Sequence, residues 1–328
     1  MLCADHIPGA ARPAVRPAPA PRRGTGKGDA IITHGLTKRY GSRNAVDGLT
    51  ITVPRGGVVG FVGPNGAGKT TTIRMLLGLV RPSWGTASVL GQPITHPARY
   101  LDSVGSLIES PAFYPYLSGR RNLRALARLG GHGTEHVDDL LAQVGLAERG
   151  DTPYKQYSLG MKQRLGIAAS LLSDPELLIL DEPTNGLDPA GIHEVRDFLR
   201  GLGNKGKTVF VSSHLLAEIQ RMCDRLVVLR QGQLVFQGTV SELEARTQGI
   251  IAVPRDAAQV PDLVALCAKH GHAALEQHGL VSVQAPAAWA AELNQKAMKA
   301  GITLQELRPR AFDLEETILD MTGREVRH

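Results

Sequence analysis

No stretch of this chain reaches the ~18 consecutive apolar residues of a membrane-spanning helix, so the chain cannot cross a bilayer alone. Cysteine is scarce. Cys3, Cys223 and Cys267 are odd in number, far apart and form no C-x-x-C pair. That fits a reducing cytosol and argues against a zinc ribbon. No heptad run is present, which argues against a long coiled coil. Residues 1–28 are rich in Pro, Ala and Arg. They hold too few apolar residues to fold and lack the apolar stretch of a secretion signal.

What remains is a chain of globular composition. Its 328 residues suggest about two domains. The hydrophobic share is 42 % and the charged share 21 %, as in folded soluble proteins. The formal charge of +6 is concentrated early: Arg12, Arg16, Arg22, Arg23 and Lys27 face a lone Asp5. Such a tail could touch anionic lipid or nucleic acid, but it reads more simply as a solvated extension. The rest is then close to neutral, and no nucleic-acid partner is expected.

The patterning predicts an α/β core. Residues 31–33 and 49–53 alternate like strands, with a turn at Tyr40-Gly41-Ser42, and 85–91 is a strand between glycines. Helical patterns dominate from about 97 to 166, with helices expected at 120–129, 135–144 and 161–172. Leu177-Leu178-Ile179-Leu180 and Thr208-Val209-Phe210-Val211 are continuous apolar runs, as in parallel strands buried on both faces. Helices are expected at 192–201 and 215–222, and a hairpin around Gln231-Gly232. After residue 241 the order strand, helix, strand, strand, helix, strand, helix suggests a small ferredoxin-like α+β domain. Its histidines, His270, His272 and His278, have no Cys or Asp at metal-ligand spacing and read as surface residues.

Three segments carry chemistry. Gly63-Pro64-Asn65-Gly66-Ala67-Gly68-Lys69-Thr70, followed by Thr71, matches G-x-x-x-x-G-K-[ST] between an apolar strand and a helix. Glycines let successive N–H groups converge on one anion, and the helix N-terminus adds its dipole. Lys69 would reach the β- and γ-phosphates, and the Thr70 hydroxyl would bind Mg²⁺. The second segment ends a buried strand in Asp181-Glu182. Asp181 would face the Mg²⁺ and Glu182 the attacking water as general base. The third strand ends in Ser212-Ser213-His214, where His214 could orient that water.

With these motifs in this order the chain resembles the ATP-binding subunits of ABC transporters over residues 31–238. Two further segments support the resemblance: Tyr157-Ser158-Leu159-Gly160-Met161-Lys162-Gln163-Arg164, and Leu180-Asp181-Glu182-Pro183-Thr184-Asn185-Gly186-Leu187-Asp188-Pro189. The resemblance implies a P-loop NTPase (ABC ATPase) fold, the core and helical subdomain occupying 29–241 and an accessory domain 242–328. It implies ATP and Mg²⁺ as cofactors, Tyr40 stacked on adenine, and two chains sandwiching two ATP. Ser158 and Gly160 of each would reach the other's nucleotide, and Asp188 would lie between the sites. It also implies a separate membrane permease and a peripheral place on the cytoplasmic face of the membrane. The chain departs from the family in Leu159 and Met161 within Ser-Leu-Gly-Met, and in Glu109, which stands where the family usually has Gln and would ligate Mg²⁺. This combination looks like the branch that exports or resists bacitracin and lantibiotics. The alternative is an ABC-type ATPase acting on the ribosome. Such members resemble two cassettes joined by a linker, and this chain has one.

Overall fold

Branched and aromatic residues between glycines extend as strands, because their side chains pack on a pleated surface. The computed structural model describes residues 28–108, 113–246, 248–277, 279–310, 314, 317 and 318. Strands β1 (Ile31–Tyr40) and β2 (Arg43–Leu49) form a hairpin whose turn uses Gly41 at φ 57°, and β3 (Thr52–Val53) pairs with β1. β4 (Gly57–Val62) feeds helix α1 (Lys69–Leu76). β5 (Trp84–Val89) and β6 (Gln92–Pro93) then complete an antiparallel sheet of order β2-β1-β5-β6.

The chain continues through β7 (Val104–Leu107), α2 (Gly119–Leu129), α3 (Val137–Gln143), α4 (Leu159–Ser170), β8 (Leu177–Asp181) and α5 (Pro189–Asn204). After these come β9 (Thr208–Ser213), α6 (Leu216–Met222), β10 (Arg225–Arg230), β11 (Gln233–Thr239) and α7 (Val240–Arg246). The second sheet has the order β11-β10-β4-β9-β8-β7. Its neighbours run parallel except in the β10–β11 hairpin.

Both faces of this sheet are buried. Val58, Val62, Leu178, Leu180, Val209 and Val211 pack with the helices in one core. The intervening Val59, Phe61, Leu177, Ile179 and Phe210 pack against the antiparallel sheet and α1. Phe61 and Phe210 meet with centroids 4.9 Å apart. Each such fully buried side chain contributes about 1.5–3 kcal/mol. These two layers hold the carboxyl ends of β4, β8 and β9 side by side.

Two expectations about this first unit's elements change. The strand expected over 49–53 is broken, because Thr33 bridges it: its hydroxyl donates to Leu49 O (2.8 Å) and accepts from Ile51 N (3.0 Å). The helical insertion does not begin near 97. Residues 104–107 form β7 and pair with β8, four residues too short to show a period. Gly105 is where α4 closes on that strand. A Cβ there would lie 1.9 Å from Ser170 O, a backbone atom. Gly105→Ala is therefore expected to destabilise the fold by about 1–3 kcal/mol. Thermal unfolding should show a midpoint lowered on the order of 5 °C, and an unchanged midpoint would show that the strand moves aside freely.

The remaining elements form a separate α+β unit: β12 (Ile250–Pro254), α8 (Val260–Lys269), β13 (Ala274–Gln277), β14 (Leu280–Val283), α9 (Ala290–Lys299) and β15 (Leu304–Pro309). Sheet order β13-β14-β12-β15, all antiparallel, is the ferredoxin-like arrangement. Leu263, Cys267, Leu293 and Ala297 cover one face from the two helices. The boundary expected at 241/242 falls inside the first unit's packing. Leu243 of α7, together with Leu314 and Ile318, which are helical, belongs to the core under β4, β8 and β9. Their apolar side chains find that larger core rather than the small sheet.

Candidate functional site

The loop after β4 is shaped by glycines at positive φ, Gly66 at 78° and Gly68 at 105°. At Gly68 a Cβ would lie 2.4 Å from Ala45 O, so only glycine lets the loop pass. Helix α1 starts with no side-chain cap. In contrast, α2, α4 and α5 begin on Ser118, Ser158 and Asp188, whose side chains accept from Arg121 N, Met161 N and Gly191 N. The first-turn N–H groups of α1 have no intrahelical acceptor and are left for an external anion. They open into a cavity of about 490 Å³, lined by Tyr40, Arg43, Ala45, Asn65–Thr71 and Glu182. Tyr40 is 51 % exposed and lines the cavity. Lys38 Nζ lies 5.1 Å from its centroid. Gly63 does not line the cavity, but its carbonyl accepts from Lys69 Nζ at 2.8 Å.

The strand-end residues converge beside this loop. Asp181 accepts from the Thr70 hydroxyl at 2.7 Å and from the Ser212 hydroxyl at 2.5 Å. Two oxygen donors at the cavity edge suit a hard cation. Glu182 has φ 50°, a left-handed conformation that costs energy for a non-glycine residue. It is held there by its N–H, which donates to the Ser212 hydroxyl (3.0 Å) and Ser212 O (3.2 Å). Its carboxylate lies between two basic groups: Lys69 Nζ 3.5 Å from Oε1, and His214 Nδ1 donating to Oε2 at 2.7 Å.

Ser158, Gly160 and Asp188 stand apart from the cavity lining. Ser158 and Asp188 act within the chain as helix caps, a role the sequence reading did not assign them. Tyr157 anchors the start of α4: it is buried, and its hydroxyl donates to Arg149 O at 2.8 Å. Burial and the nearby Asp151 raise its pKa above the usual phenol value, against the smaller opposing effect of Arg120. Leu159, the unusual signature residue, packs on Gly186, where a Cβ would meet its Cδ2 at 2.5 Å. Glu109 and His278 lie outside the described residues. Among the described residues no cluster of His, Cys, Asp and Glu has the makings of a metal site by itself.

The family model "ABC transporter" matches residues 46–185. The chain is 41 % identical over 303 residues to YhcH of Bacillus subtilis (strain 168), an uncharacterized ABC transporter ATP-binding protein, covering 89 % of this chain and 97 % of that one. The chain belongs to the ABC transporter ATP-binding proteins. It is also 38 % identical to the bacitracin transport ATP-binding protein BcrA of Enterococcus faecalis, over 89 % of this chain and 96 % of the relative. A solved ATP-binding subunit of an ABC transporter superposes with TM-score 0.59 at 32 % identity, covering 66 % of this chain and 92 % of that one.

As an ABC ATPase, the chain carries determinants that its motifs alone do not announce. Ser212 binds both Asp181 and the Glu182 backbone, and its only sequence signal is its place at the end of an apolar strand before Ser213-His214. Asn122 is buried on α2 and fastens the loop before it: its amide donates to Tyr114 O, Leu117 O and Ser118 O, and its oxygen accepts from Tyr114 N. No spacing rule points to an asparagine there.

Proposed function

We propose that this ABC ATPase is the energy-supplying subunit of an export complex. Two copies close head to tail around two ATP molecules and drive a separate membrane permease. The observation that carries this reading is the placement of Glu182. The carboxylate is fixed at the end of β8 between Lys69 and His214, and it lines the cavity over the glycine loop. There it can accept the proton of a water attacking a terminal phosphate. Lys69 balances phosphate charge. His214 Nδ1 lies 2.7 Å from Glu182 Oε2, so His214 first of all aims the base. Thr70 and Asp181 would hold Mg²⁺, which would neutralise charge on the phosphates. Tyr40 would stack on the base.

The uncapped start of α1 receives phosphate within one chain. The start of α4, at Ser158 and Gly160, lies off that cavity and would complete the site of a second copy. This arrangement makes turnover depend on dimer closure, and closure and reopening would move the permease. No helix among the described residues is long and apolar enough to cross a membrane. As the partner of such a permease, the chain would sit peripherally on the cytoplasmic face. The similarity to BcrA favours peptide antibiotics or drugs as cargo. Affinity purification from detergent-solubilised membranes of the native host tests the reading. It is expected to recover an integral membrane protein whose presence raises the ATPase rate. Recovery of ribosomal particles with no membrane protein would favour the soluble alternative.

A further inference from the structure

The lining of the phosphate cavity contains a second cation, and no motif names it. Arg43 opens β2 and pairs directly with Tyr40 across the β1–β2 hairpin. Directly opposed residues of an antiparallel pair project from the same face. The hairpin therefore presents an aromatic ring and a guanidinium together, and both line the cavity. Arg43 Nη2 lies 3.7 Å from the position a Cβ on Gly66 would take, which sets the guanidinium over the tip of the loop.

The charges around the cavity are unequally matched. Lys69 lies against Glu182 and donates to Gly63 O. Arg43 makes no ion pair or side-chain hydrogen bond among the described residues. The nearest acid in sequence, Asp47, is occupied elsewhere: Oδ1 accepts from Asn44 Nδ2 and Oδ2 from Gln233 Nε2, each at 2.8 Å. Glu182 is the one acidic side chain in the lining. An exposed arginine facing solvent is ordinary. One aimed across a loop built to converge N–H groups on an anion, with its own neighbouring acid tied down, has a partner chemistry specified for it. A planar guanidinium can take two oxygens of one phosphate, which an ammonium cannot.

We propose that Arg43 is a further nucleotide-binding residue, supplying a guanidinium contact to the phosphate chain of an adenine nucleotide whose base lies on Tyr40. This rests on the reading of the cavity as an ATP site and deepens it. The hairpin would then read both ends of the ligand, the ring through Tyr40 and the charge through Arg43. An uncharged adenine compound would gain from the first contact only.

Calorimetric titration of the full chain with ATP and with ADP, at low and high salt, tests the proposal. The proteins are wild type, Arg43→Gln, Arg43→Lys and Lys69→Ala. Arg43→Gln is expected to weaken both nucleotides about tenfold at low salt, because one charge-assisted contact is lost. The deficit should shrink as salt rises, since screening weakens the wild-type contact most. Arg43→Lys should recover part of the loss, because it keeps the charge without the fork. Arg43 is exposed and unpartnered, so the variants should fold, which melting curves check. Wild-type affinity at every salt in Arg43→Gln would overturn the proposal while leaving the site intact. A wild-type chain that binds neither nucleotide, or whose affinity ignores Lys69→Ala, would instead overturn the reading of the cavity, and the Arg43 contact with it.

Discussion

Glu182→Gln is expected to lower ATP turnover by about 10²–10⁴-fold while ATP still binds, because the amide fills the same space but cannot accept the water's proton. The geometry makes the substitution a clean test. The main-chain bonds that hold residue 182 at φ 50° come from its N–H to Ser212 and survive the exchange. The amide oxygen can still accept from His214. What disappears is the negative charge between Lys69 and His214. The variant should accumulate as an ATP-bound dimer on size-exclusion chromatography. Wild-type turnover in Glu182→Gln would remove this carboxylate from the role of base.

The second large effect is expected at the start of α4. Gly160→Asp, combined with Ser158→Ala, should reduce hydrolysis by about 10²–10³-fold, the scale of losing a preorganised anion contact. ATP binding to the isolated chain should not change, because neither residue lines the cavity. Gly160 has room for a Cβ, which would approach Leu187 Cδ2 at 3.5 Å, an ordinary contact. Ser158→Ala removes the cap on Met161 N and costs about 1 kcal/mol of stability, which a melting curve separates from catalysis. Mixing this variant with Lys69→Ala should restore part of the activity, since one composite site in the mixed dimer keeps both intact halves. Full activity in the double variant alone would refute the role in trans.

The main elements were legible in the sequence for a physical reason. Strands buried on both faces read as unbroken apolar runs, so 177–180 and 208–211 stand out. The glycines of 63–68 mark a loop whose backbone few other residues could follow. The ferredoxin-like order was legible from alternating short periods. What stayed hidden depends on single long-range contacts. Thr33 breaks the strand at 49–53 through a hydroxyl sixteen residues from its acceptor. β7 is too short to carry a period. Asn122 and Ser212 act through hydrogen bonds that no spacing encodes. Arg43 becomes distinctive only when the hairpin sets it beside Tyr40 and over Gly66.

The packing of Leu314 and Ile318 changes what the small sheet is. The two ends of that unit meet where Arg310 N donates to Gly249 O at 2.8 Å. Beyond this point Leu314 and Ile318 return to the larger core. Among the described residues, the ferredoxin-like unit is thus entered and left at neighbouring points, with apolar side chains of the larger core on both sides of it in sequence. A cut at 241/242 would strip the larger core of apolar side chains along with the small domain.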